Sequence, residues 1–283
     1  MKKILCPIDF SSDSIHALEF AAHVAEQHNS TLTLIHVFTE AEFNETLSKG
    51  LLSDLEENKE WDKLVARAEN VLQNLTNEVN KLSKPKGMKL CDYHFTYGPL
   101  DKQITNYANE HEYELIVMGT TGVKDVVEKY IGSNTVRTIS LAECPVMCIP
   151  QYAKYHKVKK IVYASDYQME DKNVLNKLIA FTAATDAQLD IVHVCHGENQ
   201  FEEAMYNEYV EETNSYLNYD KLNFVVEHHE NPARGIDEYV IRENADLLAM
   251  LYKPRNYIQR IFNESTTNEI AYFATYPVLV FKE

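Results

Sequence analysis

The chain has 283 residues, 45% hydrophobic and 25% charged, the balance of a soluble globular protein long enough for two cores of ordinary size. Its 27 basic and 43 acidic residues give a net charge of -16, divided evenly: 14 against 22 up to residue 150, and 13 against 21 after it. That balance disfavours nucleic acid as a partner, which needs clustered Lys and Arg, and no apolar run approaches the ~20 residues that a membrane helix needs.

In chain order, Lys2 to Ile8 reads as a strand ending at Pro7-Ile8-Asp9-Phe10-Ser11. The Lys pair at the start precedes too few apolar residues for a signal peptide, so a cytoplasmic protein is expected. Ser11, Ser12 or Asp13 can cap a helix whose apolar positions are Ile15, Leu18, Ala22 and Ala25. Thr31 to Phe38 is a β-branched, apolar strand of the kind covered by helices on both faces. Residues 40 to 84 are polar and helical in pattern. Trp61, Leu64, Val65, Ala68, Val71, Leu72, Leu75, Val79 and Leu82 form the stripe expected to face the sheet, and Glu40 to Glu60 reads as a loop or an exposed helix. Lys84-Pro85-Lys86-Gly87 stops this segment, and Leu90 to Tyr97 is a third strand. Gly98-Pro99 then turns into a helix over Leu100 to His111.

Leu115 to Met118 is a fourth strand that ends abruptly in Gly119-Thr120-Thr121-Gly122; nine residues later come Gly132-Ser133-Asn134, a helix, and a fifth strand after Pro145. Glycines at the carboxyl end of a strand let the backbone approach a ligand, and N–H groups at the following helix start can face phosphate oxygens, with Ser133 as a further donor. The plainer alternative is two turns with Ser133 as a helix cap. The pattern lacks the GK[ST] of a Walker A loop, and its glycines are too far apart for the dinucleotide fingerprint.

The second half repeats the first. Lys159-Lys160-Ile161-Val162-Tyr163-Ala164-Ser165-Asp166-Tyr167 answers Lys2 to Phe10 at an offset of 157, which also sets His193-Val194 on His36-Val37. After a shorter middle section, Asn199 to Asp220, the offset becomes 132. Asp246-Leu247 then answers Glu114-Leu115, and Tyr276-Pro277-Val278 answers Cys144-Pro145-Val146. The glycines do not survive: Gly119, Gly122 and Gly132 become Leu251, Pro254 and Glu264, while Ser133 becomes Ser265. A carboxylate where phosphate would approach repels it, so the second copy is expected not to bind a polyphosphate this way. The organisation read from this repeat is residues 1–150, a linker at 151–157, and residues 158–283. The fold class expected is α/β, with two doubly wound, mostly parallel five-stranded sheets in tandem.

Other constellations are weaker. The five cysteines form no CxxC pair and read as buried, reduced thiols. His193-Val194-Cys195-His196 invites a metal, but strand alternation separates its members, and His228-His229 has the same defect. Asp125 reads as a solvated or capping residue, and Tyr206, Tyr209, Tyr216 and Tyr219 as packing anchors.

The spacing G-x2-G-x9-G-[ST] at Gly119, Gly122, Gly132 and Ser133, together with PIDFS after the first strand, HV at the end of the second and CPV at the fifth, resembles the ATP-binding universal stress proteins. Nearly the whole chain takes part, as a tandem two-domain member. The resemblance implies a fold of the adenine-nucleotide alpha-hydrolase type and ATP, with or without Mg2+, as the ligand. Pro7 and Asp9 would border the adenosine, with Asp9 near the ribose, Val37 would meet the adenine through its backbone, and Met118 would line the same pocket. Gly119, Gly122, Gly132, Ser133 and Asn134 would contact phosphates, with Lys124 the nearest cation. It further implies pairing of the two copies through Val146 to Ile149 and Val278 to Phe281, and leaves a homodimer open. Three functions follow: an ATP-binding regulator acting on a protein partner, a slow ATPase or nucleotide-transferring enzyme, and a scaffold with an empty loop.

Overall fold

In the computed structural model, described for residues 1–39, 54–83, 90–120, 132–167, 171–195, 200–252 and 275–282, strands and helices alternate along the chain. The first half runs β1 (Lys3–Pro7), α1 (Ser12–Gln27), β2 (Thr31–Phe38), α2 (Asp54–Ser83), β3 (Cys91–Tyr97), α3 (Leu100–Glu110), β4 (Leu115–Gly119), α4 (Ser133–Leu141) and β5 (Val146–Ile149). The second runs β6 (Lys160–Ala164), α5 (Asp171–Thr185), β7 (Gln188–Cys195), α6 (Gln200–Tyr216), β8 (Leu222–His228), α7 (Pro232–Arg242), β9 (Leu247–Tyr252) and β10 (Val278–Lys282). The inner strands are short and mostly apolar because helices cover both faces, whereas the outermost strands, β3 and β8, carry polar and partly exposed residues.

The strand order β3-β2-β1-β4-β5-β10-β9-β6-β7-β8 corrects the expectation of two separate sheets. Each half is parallel within itself. At the junction β10 runs antiparallel to β5, with Val278 opposite Cys148, Leu279 opposite Met147 and Val280 opposite Val146. One continuous ten-stranded mixed sheet results. The physical reason is that β5 and β10 would each be a bare edge of main-chain donors and acceptors, and pairing them satisfies both. The copies do meet through these strands, and that same contact fuses the sheets.

The repeat extends to the backbone. Left-handed positions recur at the two offsets: Phe10 and Tyr167 (φ 63° and 58°), Asn29 and Asp186 (50° and 57°), Glu112 and Asn244 (55° and 50°). One core layer, with Ile4, Cys6 and Leu34, lies under α1 and α2, and the other, with Leu5, Val37 and Met118, under α3 and α4. Along α2 the predicted stripe buries Ala68, Leu72 and Val79, but Val71 is exposed, being one position off the inward face. Residues 40–53 and 84–87 lie outside the described residues.

Candidate functional site

Strand order reverses at β1, which lies between β2 and β4, and the region beyond the carboxyl ends of β1 and β4 is where open α/β sheets form their ligand crevice. Pro7 ends β1 and by alternation shares the face of Leu5, the layer that also holds Val37 and Met118. Asp9 follows, partly buried. It accepts from the Ser11 N–H at 3.0 Å and the Ser11 hydroxyl at 2.5 Å, while Ser11 Oγ caps α1 by accepting from Ser14 N–H at 3.1 Å. Asp9 is thus held in one orientation at the mouth of the crevice.

Gly119 has a reason of its own to lack a side chain. A Cβ there would lie 3.0 Å from the Asp13 carbonyl oxygen and 3.1 Å from its carbon, because β4 ends against the first turn of α1. Asp13 itself is buried, and desolvation raises its pKa, with the Asp9 carboxylate adding to the rise. Beyond Gly119, Thr120 donates its N–H to Ile149 O at 3.2 Å and accepts from Gly132 N–H at 2.6 Å. Thr135 Oγ1 donates to Gly119 O at 3.2 Å. These bonds anchor the start of α4 beside the end of β4. Gly132, extended at φ -61° and ψ 151°, is the N-cap and offers no side chain to it, while Ser133 and Asn134 begin the helix exposed. Ser133 is therefore the first helical residue rather than the cap.

Pro7, Asp9, Val37, Met118, Gly119, Gly132, Ser133 and Asn134 accordingly gather at one end of the first half's strands. Gly122, Lys124 and Asp125 lie outside the described residues, as do Pro254, Glu264 and Ser265 in the second half. Sequence reasoning missed Asp13 and Thr135 as members of this crevice. A carboxylate in a first helical turn and a Thr at the third helical position carry no local signal until β4 is set against both.

A paired device beside each crevice answers the histidine question. His36 donates from Nδ1 to Ile8 O at 2.7 Å and lies against Phe10, ring centroids 4.5 Å apart. In the second half His193 does the same to Ser165 O at 2.9 Å and stacks on Tyr167 at 4.1 Å. Each histidine props a left-handed aromatic turn, so His193 is committed to the backbone. His196 is outside the described residues. His228 Nδ1 meets Cys195 Sγ at 3.2 Å, whereas His229 Nδ1 accepts from Asn231 N–H at 2.8 Å, so the adjacent rings diverge. Among the described residues no group of three His, Cys, Asp or Glu side chains could hold a metal. Tyr167 is also covered by Tyr209 at 4.6 Å, and Tyr206, Tyr216 and Tyr219 pack on the same core, as anchors should. The five cysteines are free thiols, and burial raises the pKa of Cys91, Cys144 and Cys148 to about 12.

A doubly wound α/β unit present twice in one continuous sheet, with a glycine at the strand end of the first switch point, defines the class of fold. The universal stress protein family matches residues 1–150 and again 157–282, and the chain belongs to that family. The chain is 29% identical over 161 residues to universal stress protein YxiE of Bacillus subtilis, covering 52% of this chain and 97% of that one. It is 29% identical over 157 residues to universal stress protein MJ0577 of Methanocaldococcus jannaschii, covering 52% of this chain and 94% of that one. The crystal structure of a universal stress protein from Archaeoglobus fulgidus aligns over 99% of this chain and 98% of its own, with a TM-score of 0.73 at 18% identity, a likeness of fold. Among the described residues no helix is long and apolar enough to cross a membrane.

Proposed function

We propose that this universal stress protein binds one ATP per chain, in the crevice of its first half, and acts as a nucleotide-dependent regulator rather than an efficient enzyme. The observation that carries the proposal is the joining of α4 to β4. The Gly132-to-Thr120 bond sets a helix start with no side-chain cap beside a glycine strand end, which is the arrangement an anion needs. The residues fit the ligand. Asp9, fixed by Ser11, presents a carboxylate suited to ribose hydroxyls, and Pro7, Val37 and Met118 supply an apolar lining for the base. Ser133 and Asn134 bring N–H groups and polar side chains to the phosphate end. Bound ATP would supply a charge that changes with its phosphate count, felt at the start of α4. In the second half Leu251 and Glu264 stand where Gly119 and Gly132 stand in the first, and that difference supports a single site.

Titration calorimetry on the full chain tests the reading. One nucleotide per chain is expected. Gly132→Glu, which copies the second half's residue into the first, should weaken binding at least ~100-fold through steric exclusion and carboxylate–phosphate repulsion. Asp166→Ala should leave binding unchanged. Two sites per wild-type chain, or full binding by a folded Gly132→Glu protein, would refute the assignment.

A further inference from the structure

Because β5 and β10 pair antiparallel, every groove at one end of the junction has a counterpart at the other. One groove has Met147, Leu247 and Pro277 along its floor and Phe20 and Val24 of α1 as a wall. Its counterpart has Leu279, Leu115 and Pro145 along the floor and Lys177 and Phe181 of α5 as the wall. These are the same positions, related by the two offsets of the repeat.

The first groove is filled by the chain's own segment 151–157. The Tyr155 ring stacks on His23 at 3.9 Å and 10°, meets Phe20 edge-on at 5.4 Å, and its hydroxyl accepts from Gln27 Nε2 at 2.9 Å. His16 Nε2 holds the Ala153 carbonyl at 2.7 Å. Only about 20 Å³ of cavity is left there. The second groove retains about 340 Å³, and among the described residues none takes Tyr155's part.

We propose that the open groove between α5 and the β5–β10 junction is a docking site for an aromatic residue carried on an extended, basic peptide segment of a partner protein. The filled groove is the template for the occupant, an aromatic ring flanked by Lys154, His156 and Lys157. The open groove is adapted to the same chemistry. Ala180 replaces His23 and widens the entrance, while Leu279 and Phe281 give a dry floor. Lys177 replaces Phe20, and an ammonium can lie over a ring face, as Lys172 of the same helix lies 4.5 Å from the Tyr216 centroid. Glu143 at the exposed rim complements a basic flanking residue, while Glu114 is already engaged by the Lys2 N–H at 2.6 Å and the Met1 ammonium at 3.7 Å, and the volume falls within the usual range for ligand pockets, about 300–1,000 Å³. Cys144 also lines the groove, and burial raises its thiol to about 12, which disfavours the thiolate.

The probe is a labelled peptide of residues 151–157 offered in trans to the full-length protein, followed by fluorescence anisotropy and by NMR shifts at Ala180, Leu279 and Phe281. Saturable binding that maps to those residues is expected. The peptide with Tyr155→Ala should lose about tenfold or more, the worth of burying one aromatic ring. Ala180→Trp, a change at an exposed helix position, should occlude the groove and cost at least ~10-fold, while Ala180→His, which restores the missing stacking partner, should tighten binding. An unchanged melting temperature in both variants separates occlusion from unfolding. No binding at millimolar peptide, or shifts confined to other surfaces, overturns the proposal. Free p-cresol binding as tightly as the peptide would make the groove a small-molecule site and overturn it too. So would self-association of the protein that disappears in Ala180→Trp, because the occupant would then be a second copy.

Discussion

Gly119 and Gly132 show how two glycines of one motif answer to different forces. Gly119 is pressed against the Asp13 carbonyl by the packing of β4 on α1, so its missing side chain serves the fold whether or not a ligand is present. Gly132 has an ordinary extended backbone and stands at the exposed start of α4, where a side chain would meet the proposed nucleotide first. Gly119→Ala is therefore expected to destabilise the nucleotide-free protein by about 1–3 kcal/mol, because backbone rather than a flexible side chain must give way. Gly132→Glu should leave the nucleotide-free melting temperature nearly unchanged. Thermal melts of both variants without ATP check this, and equal melting temperatures would put the Gly119 contact in error. At this scale the glycine spacing was legible in the sequence and Asp9 entered through the family resemblance, but the glycines' separate surroundings needed α1 in place.

Between elements, the end of α1 reaches the second half through His28, whose ring lies 4.7 Å from Phe181 of α5. Burial, with a smaller push from the amino-terminal charge, lowers its pKa to about 4, and its Nε2 is buried with no hydrogen-bond partner among the described residues. The native state thus holds His28 neutral, while an unfolded chain protonates it near its ordinary value of 6.5. Below that value the unfolded state binds more protons. Stability should accordingly fall as pH drops from about 6.5 to about 4, by up to roughly 3 kcal/mol from this one group. Urea unfolding of wild type and His28→Phe at pH 5 and pH 7 reads the effect. The variant should show the smaller pH dependence, and identical slopes would mean that His28 is solvated in the native state. Nothing local in the sequence around His28 predicts this contact, because Phe181 is more than 150 residues away along the chain.

For the whole molecule, a continuous sheet changes what unfolding looks like. Val280 sits opposite Val146 in the antiparallel junction, and both are buried. Separating the halves would expose two strand edges and the apolar faces beside them. A single calorimetric transition is expected, with van't Hoff and calorimetric enthalpies in agreement. Val280→Asp, which buries a charge at the seam, should split or strongly lower it. Two independent transitions in the wild type would show that the junction contributes little.

The sequence by itself determined the alternation of strands and helices, the duplication at two offsets, and the place where glycines meet a strand end. These are legible because strand and helix periodicity, β-branched runs and glycine spacing are local properties, written within a few residues of where they act. The family resemblance, rather than any local pattern, pointed to β5 and β10 as partners. Only the tertiary structure decided that their pairing makes one sheet of ten strands instead of two of five, since a sheet's extent depends on which edges meet. Tertiary packing likewise drew Asp13 and Thr135 to the first crevice and committed His193 to a backbone carbonyl. It also filled one junction groove with Tyr155 while leaving its counterpart open. Each of these depends on contacts between segments far apart in the chain, where burial and hydrogen-bond satisfaction outweigh anything the neighbouring residues prefer.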